Sequence, residues 1–517
     1  MIQKPAASVG ILASRRLHPT TTTCRTSTSC RPQQQQRQQS SSWSNNNRKR
    51  TISSELYEKS YRLIPGGTNG AVRRMSSVSV ASDNSRRSDT KASPIYVAAT
   101  RQHVGKTSTS LALLSGLQKR FENVGFMKPV GQQSLVVMEN GRSVTVDKDA
   151  TLVKEHFRLD HLNYSDMSPI LIPPGYTRDY LGKSLSYRTS FSCHSRCRLL
   201  ELTITSFYRC SSDEKILLED QEQKVELAYN NILQTSEVVL CEGTGHCSVG
   251  SIVDASNAHV ASWLGAKMIL VANGGLGNTF DELELNKVLC DREGVDICGV
   301  IINKVQPDKL EQTKHYLQKA LHRYWGDVPL LGCIPDRPFL GCPALSDLEK
   351  LFNTKLLTGQ QHRLRHYRVQ DLNLVATSLS VFLKNLRKDP SRTLYVCHAS
   401  RNDILLGFLM EQPQHTDKTG KRSEAALVVT GTDEYPLSDQ VLGIIEGTNP
   451  EKAPPVILAN HPTHRVMEMI HSYTPKLNFE DSHRADTAVA HYEPYIDFDL
   501  LLQRTGHAQY LAENTNA

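Results

Sequence analysis

The sequence lacks any long hydrophobic run. No stretch approaches the roughly 18 consecutive apolar residues that a membrane-spanning helix needs, so we expect no transmembrane helix and no membrane partner. The chain has 12 cysteines, yet none of them shows C-x-x-C spacing. Scattered cysteines that fall inside apolar runs are typical of buried, reduced thiols in an intracellular protein.

Acidic residues are missing from the first 54 positions, which hold nine Lys or Arg and are rich in Ser, Thr and Gln. Such a segment cannot build a hydrophobic core. Its composition is typical of an organellar transit peptide, so we expect a mitochondrial protein, with a plastid or cytoplasmic location as the alternatives. Most of the net charge of +7 belongs to this tail, and we therefore expect no nucleic-acid partner. Residues 55–92 read as a linker.

Beyond Ser93, short apolar runs alternate with amphipathic stretches. This alternation predicts βαβ units and a parallel sheet. Asn140-Gly141, between two alternating runs, predicts a β-hairpin. We expect an α/β chain with a P-loop domain over 93–365 and a smaller α/β domain over 366–517. Residues 186–212 break the pattern and read as an insertion.

The segment from Ile95 to Leu117 reads as a strand, a tight loop and an amphipathic helix. Backbone N–H groups and the dipole at a helix N-terminus bind anions. Lys106 would add a point charge to the β- and γ-phosphates, and the hydroxyl of Thr107 could reach Mg²⁺. The pattern predicts ATP and Mg²⁺ as cofactors. The residues predicted to cradle the nucleotide are Thr100, Val104, Gly105, Lys106, Thr107 and Ser108.

This loop resembles the P-loop of dethiobiotin synthetase and its relatives, which reads G-x-x-x-x-x-G-K-T. Ala99 stands where that pattern has its first Gly. Alanine costs little there if φ stays negative, so we expect nucleotide binding to persist.

Lys128, in Lys128-Pro129-Val130, ends the second predicted strand and is the second predicted catalytic residue after Lys106. A lysine at the carboxyl end of a parallel strand points into the ligand crevice. The stretch resembles the K-P-V of dethiobiotin synthetase, which implies that Lys128 holds a substrate carboxylate or carbamate beside the γ-phosphate. A solvated surface lysine is the alternative.

Two acidic residues complete the predicted metal site with Thr107. Asp149 resembles the aspartate that supports magnesium in the same family, although Asp147 could substitute, and an N-cap role is compatible. Glu242 ends an apolar strand, which is how a buried strand places one carboxylate near Mg²⁺. Asn303 resembles the asparagine that reads the nucleotide base, since an amide offers both a donor and an acceptor. A turn-forming asparagine is the alternative.

Residues 93–355 as a whole resemble the dethiobiotin-synthetase-like domain at the front of some phosphate acetyltransferases. The tail from about residue 370 resembles the DRTGG domain that follows it there, with Arg401-Asn402-Asp403 and Thr430-Gly431 at its two motif loops. We see no acetyltransferase catalytic domain and do not expect acetyl transfer by this chain alone.

The resemblance favours a nucleotide-sensing or regulatory protein. The alternative is an ATP-dependent ligase that phosphorylates a small carboxylate or carbamate and traps the product with an amine. Relatives in this P-loop class often work as dimers, so a homodimer is expected by analogy.

Overall fold

The computed structural model describes residues 92–182, 218–388, 391–419 and 424–508. The expected transit peptide, nearly all of the 55–92 linker and the suspected insertion at 186–212 lie outside these ranges. Within them, no helix has both the length and the apolar character that a membrane span requires.

Strands and helices alternate through most of the described chain. In chain order the strands are β1 (Ile95–Ala99), β2 (Val124–Met127), β3 (Val130–Gly131), β4 (Ser134–Glu139), β5 (Arg142–Asp147), β6 (Ile170–Leu171), β7 (Val238–His246), β8 (Lys267–Asn273), β9 (Ile297–Val305), β10 (Leu330–Pro335), β11 (Leu356–Thr358), β12 (Leu372–Leu374), β13 (Leu394–His398), β14 (Ala426–Thr430) and β15 (Val456–Ala459). The α-helices are α1 (Lys106–Gln118), α2 (Lys148–Phe157), α3 (Tyr164–Met167), α4 (Leu218–Leu233), α5 (Asn257–Trp263), α6 (Gly277–Arg292), α7 (Leu310–Trp325), α8 (Leu345–Phe352), α9 (Leu379–Lys388), α10 (Asn402–Thr419), α11 (Asp439–Glu446), α12 (Thr463–Ser472), α13 (Ser482–Tyr492) and α14 (Phe498–Thr505).

The first sheet has six parallel strands in the order β10-β9-β8-β1-β7-β2. Its central strands are near-continuous apolar runs because helices cover both faces. All five residues of β1 are buried, for example. The predicted parallel sheet and the α/β class are confirmed. The predicted hairpin is also confirmed, since β4 and β5 pair antiparallel around Asn140-Gly141.

The second sheet is smaller and has the order β11-β15-β14-β13-β12. Four of its strands are parallel, and only β11 pairs antiparallel, with β15. Helices pack on both faces and form two apolar clusters, one around Phe408 and one around Tyr367. The additional smaller α/β domain that the sequence predicts is therefore present.

The chain does not divide between the two sheets at a single point. Leu477, Tyr492 and Phe498 are buried in the core of the first sheet, although the sequence assigns 366–517 to the second domain. Gly116 on α1 makes room for this return, since a Cβ there would lie 2.0 Å from the Phe498 ring. Conversely, α8 and β11 pack into the core of the second sheet. The sequence of a short apolar helix does not indicate which of two cores will bury it.

Candidate functional site

The loop between β1 and α1 turns through a left-handed residue immediately before the helix. Gly105 has φ of 92°, and α1 begins at Lys106. A Cβ on Gly105 would lie 2.3 Å from Nδ2 of Asn303. Glycine is therefore required at this position both for its conformation and for the close approach of a side chain.

Neighbouring strands and helices hold this loop from outside. Thr100 donates its N–H to the Val271 carbonyl and its hydroxyl to Glu282 Oε2, both at 2.9 Å. Asn303 is fully buried, and its Nδ2 donates to the carbonyl of Val104 at 2.6 Å. These bonds fix the loop in one shape, which favours pre-organised binding of an anion.

Asn303 also donates to the hydroxyl of Tyr492 at 2.9 Å, and its Oδ1 accepts the N–H of Lys304 at 2.8 Å. The structure thus brings Asn303 to the phosphate loop and commits its amide to protein partners. Its role in reading a base stays a prediction. Ser108, at the start of α1, is half-buried beside the same tyrosine hydroxyl.

Three predicted site residues meet at one carboxylate oxygen. Oε1 of Glu242 lies 2.7 Å from Lys106 Nζ, 3.0 Å from the Thr107 hydroxyl and 3.2 Å from Lys128 Nζ. Glu242 is fully buried inside β7, which continues to His246, so the prediction that this glutamate ends its strand is wrong. Its second oxygen, Oε2, has no hydrogen-bond partner within the described ranges. A buried carboxylate oxygen without a partner is costly unless a cation or donor reaches it.

A second group of charges adjoins the first. Lys128, only 4% exposed, bonds to Asp149 Oδ2 and lies 3.9 Å from Asp147 Oδ1. Asp149 Oδ1 also accepts from Lys148 Nζ at 2.7 Å. Lys128 is therefore not a solvated surface lysine, and it lies among carboxylates that adjoin the loop.

The two aspartates have different partners. Asp147 is the N-cap of α2 and accepts the N–H of Asp149 at 2.9 Å, as a capping residue does. Its other oxygen accepts the N–H groups of Gln132 and Gln133 at 2.9 and 3.1 Å. Asp149 lies in the first turn of α2, so the cap expected of it belongs to Asp147. The carboxylate of Asp149 instead accepts hydrogen bonds from Lys128 and Lys148.

The electrostatics of the cluster follow from burial and mutual attraction. Burial alone would lower the pKa of Lys128, but Asp149, Glu242 and Asp147 outweigh it and raise that pKa. Burial would raise the pKa of Glu242, yet Lys106 and Lys128 hold it below its usual value. For Lys106, burial dominates and lowers the pKa. Lys128 is thus a fixed ammonium and not a general base.

The residues present fit a divalent cation that is held together with a nucleotide. Within the described part of the chain, no group of three or more His, Cys, Asp or Glu side chains could hold a metal by itself. Mg²⁺ is commonly bound through one or two protein ligands plus substrate phosphates. The partnerless Oε2 of Glu242 and the nearby Thr107 hydroxyl supply such a pair.

A cavity of about 910 Å³ opens over the loop. Its lining includes Gly105, Lys106 and Thr107 on one side, and Arg368 and Lys476 from the C-terminal part on another. Nine lysines and arginines but only three aspartates line it. Ligand pockets span roughly 300–1,000 Å³, so this cavity has room for a nucleotide and a second small molecule, and its charge favours anions.

Sequence reasoning missed several residues of this cavity. Tyr492 and Lys476 lie in the C-terminal segment that packs back on the first core, more than 350 positions after the loop. No local sequence pattern predicts that these two residues line the cavity. Lys148 follows the N-cap of α2 and reads as an ordinary helix residue. The packing of the C-terminal segment on the first core brings Tyr492 and Lys476 to the cavity, and the start of α2 brings Lys148 there.

Comparison with known proteins agrees with this geometry. Residues 93–181 and 207–344 match the family model described as an AAA domain. The chain is 24% identical over 421 residues to a phosphate acetyltransferase of Synechocystis, covering 79% of the chain and 51% of that protein. A phosphate acetyltransferase of Nitratidesulfovibrio vulgaris is 22% identical over 414 residues, with the same shares covered. A cobyric acid synthase of Clostridium perfringens is 24% identical over 254 residues, covering 47% of the chain and 45% of that enzyme.

The chain spans about half the length of the curated relatives it matches. The expected lack of acetyl transfer therefore stays a prediction. Residues 93–181 and 207–344 thus resemble an AAA domain of the P-loop type, and the chain is similar to phosphate acetyltransferases over most of its length.

Proposed function

We propose that this protein binds Mg-ATP at the phosphate loop and serves as a nucleotide-sensing regulatory protein. The observation that carries the proposal is the buried carboxylate of Glu242, with Lys106 and Thr107 on one oxygen and no partner on the other. Amides at the start of α1 would receive the phosphates, and Lys106 would turn from Glu242 to them. Bound Mg²⁺ would neutralise phosphate charge.

The smaller domain would carry the regulatory part of this function, in keeping with its likeness to a DRTGG domain. Two contacts support a link between nucleotide and domain. Tyr492 contacts Asn303 beside the loop, and Arg484 on the same helix donates to Asp347 Oδ2 at 2.9 Å on α8. A nucleotide that changes the contacts of Asn303 would therefore act on a helix that is anchored to the second core.

A ligase acting on a carboxylate or carbamate is the second candidate. The position of Lys128 favours it, because this permanently charged side chain lines the same cavity as the phosphate cradle. Lys128 could orient an anionic substrate for attack on the γ-phosphate without exchanging a proton.

Measurements of ADP release separate the two candidates. A sensor should bind Mg-ATP with little turnover, whatever small acid or amine is added. A ligase should release ADP only in the presence of its acid, and the release should be lost in Lys128→Met, which keeps the volume but removes the charge. Strong acid-dependent ADP release would overturn the sensing proposal, and an absence of nucleotide binding would overturn both candidates.

A further inference from the structure

The segment Tyr473–Leu477 connects α12 of the smaller domain to α13, which returns to the first core. Five consecutive residues of this connection line the cavity. The carbonyl of Leu477 accepts from Lys148 Nζ at 3.4 Å, and the Leu477 side chain is buried in the first core. The connection is therefore fixed against the Lys128 side of the site.

This arrangement places Lys476 beside Lys148. The side chain of Lys476 is exposed to the cavity and makes no ion pair within the described ranges. Burial lowers the pKa of Lys476, and repulsion by Lys148 and Lys128 lowers it further, while Asp149 and Asp147 oppose this. Lys148 is paired with Asp149 Oδ1 at 2.7 Å, whereas Lys476 has no carboxylate partner in the described ranges, so its positive charge at the cavity favours binding of an anion.

The contacts of the buried Arg484 hold the backbone of Lys476 in place. Arg484 is 1% exposed and donates to the Cys342 carbonyl and to Asp347, both at 2.9 Å. Its Nη1 also donates to the carbonyl of Lys476 at 3.5 Å. The backbone that carries Lys476 is thus tied to a buried arginine, so its ammonium is presented from a rigid support.

We propose that Lys148 and Lys476 form a second anion subsite, which binds a small dianion with carboxylate or phosphate groups alongside the nucleotide. The proposal rests on the proposed nucleotide function and deepens it by naming the class of the second ligand. The side chains of Gln132 and Gln133, exposed at the same wall, supply neutral donors and acceptors for its remaining polar atoms.

The nucleotide alone does not account for the positive charge of Lys148 and Lys476 at this side of the cavity. The phosphate loop and Lys106 already provide the triphosphate with its partners, and a magnesium-bound triphosphate offsets only part of the cationic excess of the cavity. A dianion between Lys148 and Lys476 would contact elements of both cores, because Tyr473–Leu477 leads from one to the other.

The test is calorimetry on the full chain saturated with Mg-ADP, with inorganic phosphate and succinate as the two probes. We expect at least one probe to bind with a millimolar or tighter Kd, and Lys476→Ala to weaken it at least tenfold with Mg-ADP affinity unchanged. Lys319→Ala, which removes an exposed lysine on α7, is the matched control and should bind as the wild type does.

Each outcome decides the matter. Binding of phosphate alone would identify a phosphate-bearing ligand, and binding of succinate alone a dicarboxylate. Mg-ADP binding without binding of either probe, or an unchanged Kd in Lys476→Ala, would overturn the subsite but leave the nucleotide function intact. Failure of Mg-ADP itself to bind would overturn both proposals.

Discussion

The hydroxyl of Tyr492 accepts a 2.9 Å hydrogen bond from the same Asn303 amide that donates to Val104 of the phosphate loop. The two residues are 189 positions apart. Through this bond, the last helices of the chain help to set the shape of a loop near its beginning. The nucleotide affinity should therefore respond to changes in the C-terminal segment.

Tyr492→Phe should weaken Mg-ATP binding roughly two- to tenfold, because the net worth of a hydrogen bond is about 0.5–1.5 kcal/mol. The buried Asn303 amide would lose one acceptor and hold the loop less firmly. Titration calorimetry measures the effect. Tyr495→Phe is the control, since Tyr495 is 39% exposed, and equal affinities in the two variants would contradict the account.

Gly105→Ala should abolish nucleotide binding and destabilise the fold. A Cβ at this position meets Asn303 Nδ2 at 2.3 Å and also requires a left-handed alanine at φ of 92°. Gly506→Ala has the same left-handed backbone, at φ of 83°, but the added Cβ would meet nothing closer than the Cα of Ala92 at 3.8 Å. Left-handed strain costs about 1–2 kcal/mol, so Gly506→Ala should lose about that much stability and keep its nucleotide affinity.

Glu242→Gln should separate metal binding from phosphate binding. The change removes the charge that faces Lys106 and the partnerless Oε2. We expect Mg²⁺ to strengthen ATP binding much less in this variant than in the wild type, because the neutral amide lacks the negative charge that attracts a divalent cation. Titrations with and without Mg²⁺ measure this difference. Glu226→Gln alters an exposed glutamate on α4 and should retain the full magnesium effect.

Acid should destabilise the protein through His507. This residue is 2% exposed, and burial lowers its pKa to about 4. The unfolded chain binds the proton at about pH 6.5, so the neutral histidine favours folding above that value. This stability is lost progressively as the pH falls from about 6.5 to 4.

The shift of the His507 pKa corresponds to about 3 kcal/mol at 1.36 kcal/mol per unit. His507→Gln removes the titrating group, so its free energy of unfolding should fall less between pH 7.5 and 4.5 than that of the wild type. Urea unfolding at a series of pH values measures it. The exposed His315→Gln should keep the wild-type slope, and parallel slopes in all three proteins would contradict the assignment.

The sequence alone predicts the elements that are defined by a short stretch of consecutive residues. The strand Ile95–Ala99 opens the segment that the sequence predicts as strand, loop and helix, because an apolar run before a glycine-containing turn can be buried in few other ways. Lys106, Thr107 and Glu242 could be expected to meet because a glycine-lysine-threonine loop and an acid in an apolar strand are each defined by a short stretch, and the parallel sheet brings them together. Their roles at a nucleotide stay predictions.

Two features of the site could not be predicted from the sequence: which aspartate caps α2, and which distant residues reach the cavity. Asp147 and Asp149 are two positions apart on similar sequence, and only the start of α2 decides which one caps the helix. Lys476 and Tyr492 reach the cavity because α13 and α14 pack on the first core and not on the second. That choice depends on the fit of Phe498 against Gly116, which no pattern of hydrophobicity records.

The most direct test of the account is Mg-ATP calorimetry on the wild type, Lys106→Ala and the exposed control Lys314→Ala. Loss of a buried charged partner costs about 2–5 kcal/mol, so we predict binding by the wild type and the control and at least a roughly 30-fold weaker Kd for Lys106→Ala. Equal affinity in all three proteins, or no Mg-ATP binding by the wild type at millimolar ligand, would contradict the central claim.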